Sequence, residues 1–155
     1  MRISRSFLAA VIILSLVASG GQCLYGKTAS AENVNKKIVL KAASDFTLEL
    51  PASWKNNYVL KKSKNKKHSS YVAFYSKKCY KQTTEGWLFS ITRYKDSSYT
   101  EMPSYELVGK WNGYNYVAVF PTDVQTMGAT KAARKQYKKL SKSVEEVARS
   151  VAPRK

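Results

Sequence analysis

The chain has 155 residues, with 27 basic and 10 acidic side chains, a formal charge of +17, two cysteines and one histidine. That inventory leaves too few ligands for a disulfide-stapled scaffold or a zinc site of clustered Cys and His, and it favours partners that carry negative charge.

Arg2 and Arg5 precede an apolar run from Phe7 to Leu14 that resumes at Leu16, Val17 and Ala18. This is the layout of a secretory signal, so residues 1–31 are predicted to be a signal peptide and the protein secreted or cell-surface associated. As a helix, roughly twelve such residues reach only ~18 Å, short of the ~30 Å hydrocarbon layer. Ala29-Ser30-Ala31 offers a small-x-small cut before Glu32, with a cut after Gly20 as the alternative. Gln22 stands where lipoprotein signals carry a small residue, which argues against a lipid on Cys23. The later cut leaves a single domain, 32–155, in which Cys79 is the only cysteine, whereas the earlier one leaves a Cys23–Cys79 bridge open. Arg2, Arg5 and Lys27 are the only charges in residues 1–31, so the domain keeps a strong excess of basic over acidic side chains.

Ile38–Leu40 reads as a first strand or an extended lead-in, followed by a turn at Ala43-Ser44-Asp45. Phe46, Leu48 and Leu50 alternate with Thr47 and Glu49, the pattern of a half-buried strand that Pro51 ends. Trp54 is expected to tuck back over the sheet, and Tyr58–Leu60 to form the next strand. Residues 61–70 hold Lys61, Lys62, Lys64, Lys66, Lys67 and His68 with no acid, which predicts a solvated hairpin tip returning through Tyr71–Tyr75. Residues 76–86 read as a long connection. Trp87, Phe89 and Ile91 then line one face of a strand and Leu88, Ser90, Thr92 and Tyr94 the other, a two-sided pattern suited to a central strand. Residues 96–104 read as a loop.

Asn112-Gly113 is the strongest turn signal, because a type I′ turn needs positive φ at both positions; it joins Tyr105–Trp111 to Tyr114–Phe120 as a hairpin. Ala133, Tyr137, Leu140, Val144, Val147 and Val151 recur at spacings of three and four, predicting one long amphipathic helix over about 130–151 that Pro153 stops, with Arg154-Lys155 as a frayed tail. The expected fold is α+β: an antiparallel sheet of about five to six strands with this C-terminal helix packed on one face.

Catalytic candidates are sparse. His68 sits among lysines without an acid to orient it, Cys79 lies in a different segment, and the carboxylates are scattered. There is no Cys-x-x-Cys, His pair or acidic calcium loop, so no cofactor or metal is expected and the domain reads as non-enzymatic. Two features remain. One is a basic surface formed by Lys61, Lys62, Lys64, Lys66 and Lys67 with Lys131, Arg134, Lys135, Lys138, Lys139 and Lys142, suited to an anionic wall polymer or membrane surface. Lysine without interleaved aromatics or arginine forks gives point-charge attraction and argues against sequence-specific nucleic-acid binding. The other is an aromatic patch, Tyr105, Trp111, Tyr114 and Tyr116, that could serve a small ligand, glycan or peptide.

The segments Phe46-Thr-Leu-Glu-Leu-Pro-Ala-Ser-Trp54, Tyr71-Val-Ala-Phe-Tyr-Ser76, Gly86-Trp-Leu-Phe-Ser-Ile91, Pro103-Ser-Tyr105 and Tyr116-Val-Ala-Val-Phe-Pro-Thr-Asp-Val-Gln125 resemble small exported or membrane-tethered domains of unknown function from gut Firmicutes. The resemblance spans nearly all of residues 32–155 and implies a bacterial, surface-facing domain without catalytic residues to carry over. Those relatives are generally acidic, and the basic character here departs from them. The Phe-x-Leu-x-Leu-Pro-x-x-Trp opening also looks like the start of PsbP/Mog1-like domains, which implies a sheet packed with helices.

Overall fold

The apolar burst Ile38–Leu40 forms β1, and the alternating segment Phe46–Leu50 forms β2 with Phe46, Leu48 and Leu50 buried. They belong to a computed structural model that describes residues 37–63 and 71–155. The predicted signal peptide, Cys23, Lys64, Lys66, Lys67 and His68 lie outside the described residues.

After β2, a 3₁₀ turn at Ala52–Trp54 carries the Trp54 ring into the interior, where none of it is exposed. β3 (Tyr58–Ser63) and β4 (Tyr71–Ser76) pair antiparallel, so Lys61 and Lys62 belong to a strand and not to a hairpin tip. The connection expected over 76–86 contains a helix, α1 (Lys77–Thr83), closed by Thr84 in the left-handed conformation. Its seven residues show too little apolar periodicity to be told from a polar loop, and what holds it is tertiary packing on Cys79.

β5 (Trp87–Tyr94) is central, as its two-sided pattern predicts, with every residue from Leu88 to Thr92 buried. A register shift opposite Phe74 and Tyr75 places Leu88 alongside Phe89 and Ile91 in the core and leaves Trp87 half-buried, correcting the simple alternation. A 3₁₀ turn at Ser98–Glu101 lies within the next loop. β6 (Tyr105–Trp111) and β7 (Tyr114–Val119) form the expected hairpin, and Asn112 and Gly113 adopt φ of 51° and 72°, the backbone a type I′ turn requires.

The C-terminal segment departs most from expectation. A single long helix is replaced by α2 (Lys131–Ser141) and α3 (Val144–Arg149), interrupted at Lys142-Ser143. Ser143 has φ −115° and ψ 10°, and its hydroxyl bonds to the Leu140 carbonyl at 3.2 Å while accepting the Trp54 indole N–H at 2.9 Å. A hydroxyl that competes for the helix's own carbonyls in this way loosens the i→i−4 ladder. The predicted stripe is nonetheless used: Ala133, Leu140, Val144, Val147 and Val151 are buried and Tyr137 half-buried. Pro153 does not stop the helix, which ends at Arg149, and the expected tail is held as far as Arg154, because Ala152–Pro153 forms β8 on β2 and the Arg154 amide donates to the Asp45 carbonyl.

The result is α+β with two antiparallel sheets, β1-β2-β8 and β3-β4-β5-β7-β6, in place of one. The core lies between the larger sheet, which supplies Val72, Phe74, Phe89, Ile91, Tyr116 and Ala118, and a layer made of β2, Trp54, α2 and α3. Among the described residues, no helix is long and apolar enough to cross a membrane.

Candidate functional site

α2 separates its residues by chemistry with unusual strictness. At ~100° per residue, Lys131, Arg134, Lys135, Lys138, Lys139 and Lys142 fall within an arc of about 140°, and no other residue of the helix falls inside it. Ala133 and Leu140 lie diametrically opposite, which is why the same amphipathic pattern that buries one face leaves this one wholly cationic. All six basic residues are exposed, and among the described residues none of them makes an ion pair.

The packed neighbour α1 adds exposed Lys78 and Lys81 and half-buried Lys77. The two helices cap one another. Gln136 of α2 accepts the Lys78 amide N–H at 2.8 Å and the Ser76 hydroxyl at 3.1 Å, satisfying the open N-terminus of α1, and its own amide nitrogen donates to Asn57 at 2.9 Å. Gln82 of α1 in turn accepts the amide and hydroxyl of Thr130, the N-cap of α2, at 3.1 and 3.2 Å. The Tyr137 hydroxyl donates to the Trp87 carbonyl at 3.2 Å and ties the pair to the sheet. Lys61 joins α1 from the β3 side, its Nζ 5.0 Å from the centre of the Tyr80 ring; Lys62 is exposed on the same strand. The lysines of α1 were hidden in the sequence because their segment reads as loop. The glutamine clasps have no sequence signature, since they depend on two helices meeting.

The four aromatics of the 105–116 patch do not come together. Tyr116 is fully buried, edge-on to Phe46, while the register puts Tyr105 on the opposite face of the sheet, where it meets Tyr99. Trp111 and Tyr114 remain partly open and line a cleft with Lys95, Lys110, Gly113 and Asn115.

Beneath that cleft sits a charged cluster. Asp45 Oδ2 accepts from Arg93 at 2.7 Å and from the Tyr116 hydroxyl at 2.7 Å, joining the turn before β2 to β5 and β7. The pair is largely enclosed, with 19% of the Arg93 and 13% of the Asp45 side chain exposed. Burial first, and then the bond to Asp45, push the Tyr116 phenol up to about 12. Because the folded protein holds this proton where an unfolded tyrosine with a pKa of about 10 releases it, the associated stability is complete below pH 10 and is lost as pH rises toward 12. Urea unfolding between pH 9 and 12 should therefore show an alkaline loss, to which Tyr58, Tyr94 and Tyr137, their phenols also raised by burial, contribute, and which Tyr116→Phe reduces by about 2–3 kcal/mol; equal alkaline slopes for both proteins would contradict this.

Cys79 is fully buried beside Ala129 and Ala133, a packing position closed to substrate. Among the described residues no three His, Cys, Asp or Glu side chains gather closely enough to hold a metal ion. No family model matches the chain, and neither the curated proteins nor the solved structures contain a significant match.

Proposed function

We propose that this is an exported, non-enzymatic domain that binds an anionic polymer of the cell envelope through the cationic face of α1 and α2. The observation that carries the reading is the arc of six basic side chains on α2, exposed and without acidic partners among the described residues. Cations placed along one helix face match a chain of regularly spaced phosphates or carboxylates and exchange its condensed counterions for fixed charge. The reciprocal glutamine caps hold the two helices in register, so little side-chain ordering beyond the lysines themselves opposes binding. A membrane surface is the weaker partner, because the arc holds no apolar side chain to enter the acyl boundary. Export rests on the charged and apolar pattern of the first eighteen residues.

The test is a binding titration with long-chain inorganic polyphosphate, a neutral dextran and anionic-lipid vesicles. Polyphosphate should bind at ~50 mM salt and release at ~0.5 M, with dextran inert. Absence of binding at low salt, or binding that survives high salt, would overturn the electrostatic reading; tighter binding to vesicles than to polymer would transfer it to the membrane.

A further inference from the structure

The cleft at the β6–β7 turn lies at the opposite edge of the larger sheet from α1, which packs on β3 and β4, so it is separate from the cationic helices. We propose that it is a binding site for a single acidic sugar, of the hexuronic acid class. Its volume of about 340 Å³ is at the lower end for small-molecule sites and accommodates one pyranose ring with its substituents.

Three features of the lining select the ligand. Lys95 and Lys110 are its only charged members, so the space is cationic without an opposing carboxylate, and the complement is an anion. Its wall is aromatic and held rigid. The Trp111 indole stacks on Tyr116 at 3.7 Å and lies across Gly109, where any Cβ would collide with the ring. Tyr114 is covered by the Arg93 guanidinium at 4.2 Å, and Lys95 Nζ lies 5.7 Å from its centre. Fixed aromatic surface offers the C–H face of a pyranose a contact whose ordering cost is already met by the fold. Asn115, whose amide nitrogen donates to the Asp96 carbonyl at 3.0 Å, supplies a side-chain carbonyl as an acceptor for a ring hydroxyl. Gly113, set at φ 72° in the turn, borders the open side of the cleft, with no atom beyond its chain neighbours within 4 Å of where a Cβ would stand.

A bare inorganic anion would use the lysines and ignore the aromatic wall, and a neutral sugar would do the reverse. An acidic sugar uses both, which is why it is the ligand assigned. The site is independent of polymer binding by α2 and stands or falls apart from it.

The experiment is an NMR titration of the full chain, following the Trp111 indole N–H, assigned by its disappearance in Trp111→Phe, with glucuronate, glucose and inorganic phosphate added separately. Glucuronate should give a saturable shift at concentrations up to about 20 mM, glucose and phosphate at least about tenfold weaker ones, and the exposed pair Lys95→Ala/Lys110→Ala should weaken glucuronate by about tenfold or more without altering the rest of the spectrum. Lysine replacements on α2 should leave the titration unchanged. No saturable shift with glucuronate, equal binding of glucose, equal binding of phosphate, or indifference to the Lys95 and Lys110 replacements would each overturn the assignment.

Discussion

Trp54→Ala should destabilise the domain by about 4 kcal/mol, lowering the thermal midpoint by roughly 15 °C for a chain of this size. The ring is fully buried and meets Tyr58, Phe74 and Phe89 at centroid distances of 6.0–6.2 Å, so its removal opens a void shared by the turn after β2, by β3 and by the centre of the larger sheet. Domains of this kind have only about 5–15 kcal/mol of stability in total, which makes this one side chain a large fraction of it. Trp54→Phe keeps most of the apolar volume and deletes the indole N–H that donates to Ser143; it should cost about 1–2 kcal/mol beyond the volume change. Chemical unfolding of Trp54→Phe, Ser143→Ala and the double variant would isolate the bond. Additive effects would show that the tryptophan acts by packing alone, while a coupling near 1 kcal/mol would show that the bond helps hold the helix break.

The same bond explains why the break between α2 and α3 was not legible. From Ala133 to Val151 the apolar residues keep helical spacing without a slip, and nothing in the segment is a strong helix breaker. A serine inside a helix is ordinary. Ser143 marks the boundary with its hydroxyl turned to the Leu140 carbonyl and accepting the indole N–H of a tryptophan 89 residues earlier in the chain. What could be read was the part governed by local periodicity: β2, the two-sided β5, the Asn112-Gly113 hairpin and the buried stripe of the C-terminal segment. What could not be read was governed by meetings between distant segments. α1 is too short to declare itself without α2 beside it, and β8 exists because the chain beyond α3, which already ends at Arg149, brings Pro153 to the edge of β2, where a residue without an amide donor is tolerated.

The candidate sites divide along the same line. The cationic face of α2 follows from the sequence, since helical spacing alone places its six basic residues opposite Ala133 and Leu140. The aromatic patch does not, because residues close in a hairpin alternate between faces and their exposure depends on what packs above. Tyr116 was drawn inward by its bond to Asp45, a residue 71 positions away, and Tyr105 falls on the other side of the pleat. Lys95 enters the cleft from the end of a different strand, with no local signal connecting it to Trp111.

Whether the excess positive charge acts through one surface or through the whole molecule is decided by two variants of equal net charge. Lys131→Glu/Lys135→Glu/Lys138→Glu reverses the middle of the α2 arc; Lys41→Glu/Arg154→Glu/Lys155→Glu makes the same change in charge at exposed positions near β1 and β8. If binding depended on overall charge, both would weaken polyphosphate equally. A defined helical face predicts otherwise: with roughly six phosphates engaged and a slope of about −0.7 per phosphate for a flexible chain, raising salt from ~50 to ~200 mM should cost the unaltered protein about 10²–10³ in affinity, and the α2 variant should lose at least that much at constant salt with a markedly flatter slope. The control variant should keep the original slope and lose less than about tenfold, since charges more than a Debye length of ~10 Å from the bound chain are screened. Both sets lie on exposed side chains, so unfolding free energies should agree with the parent to within about 0.5 kcal/mol per substitution, and a difference in binding then reports the surface and not the fold. Equal losses in the two variants would dissolve the site into the net charge of the protein.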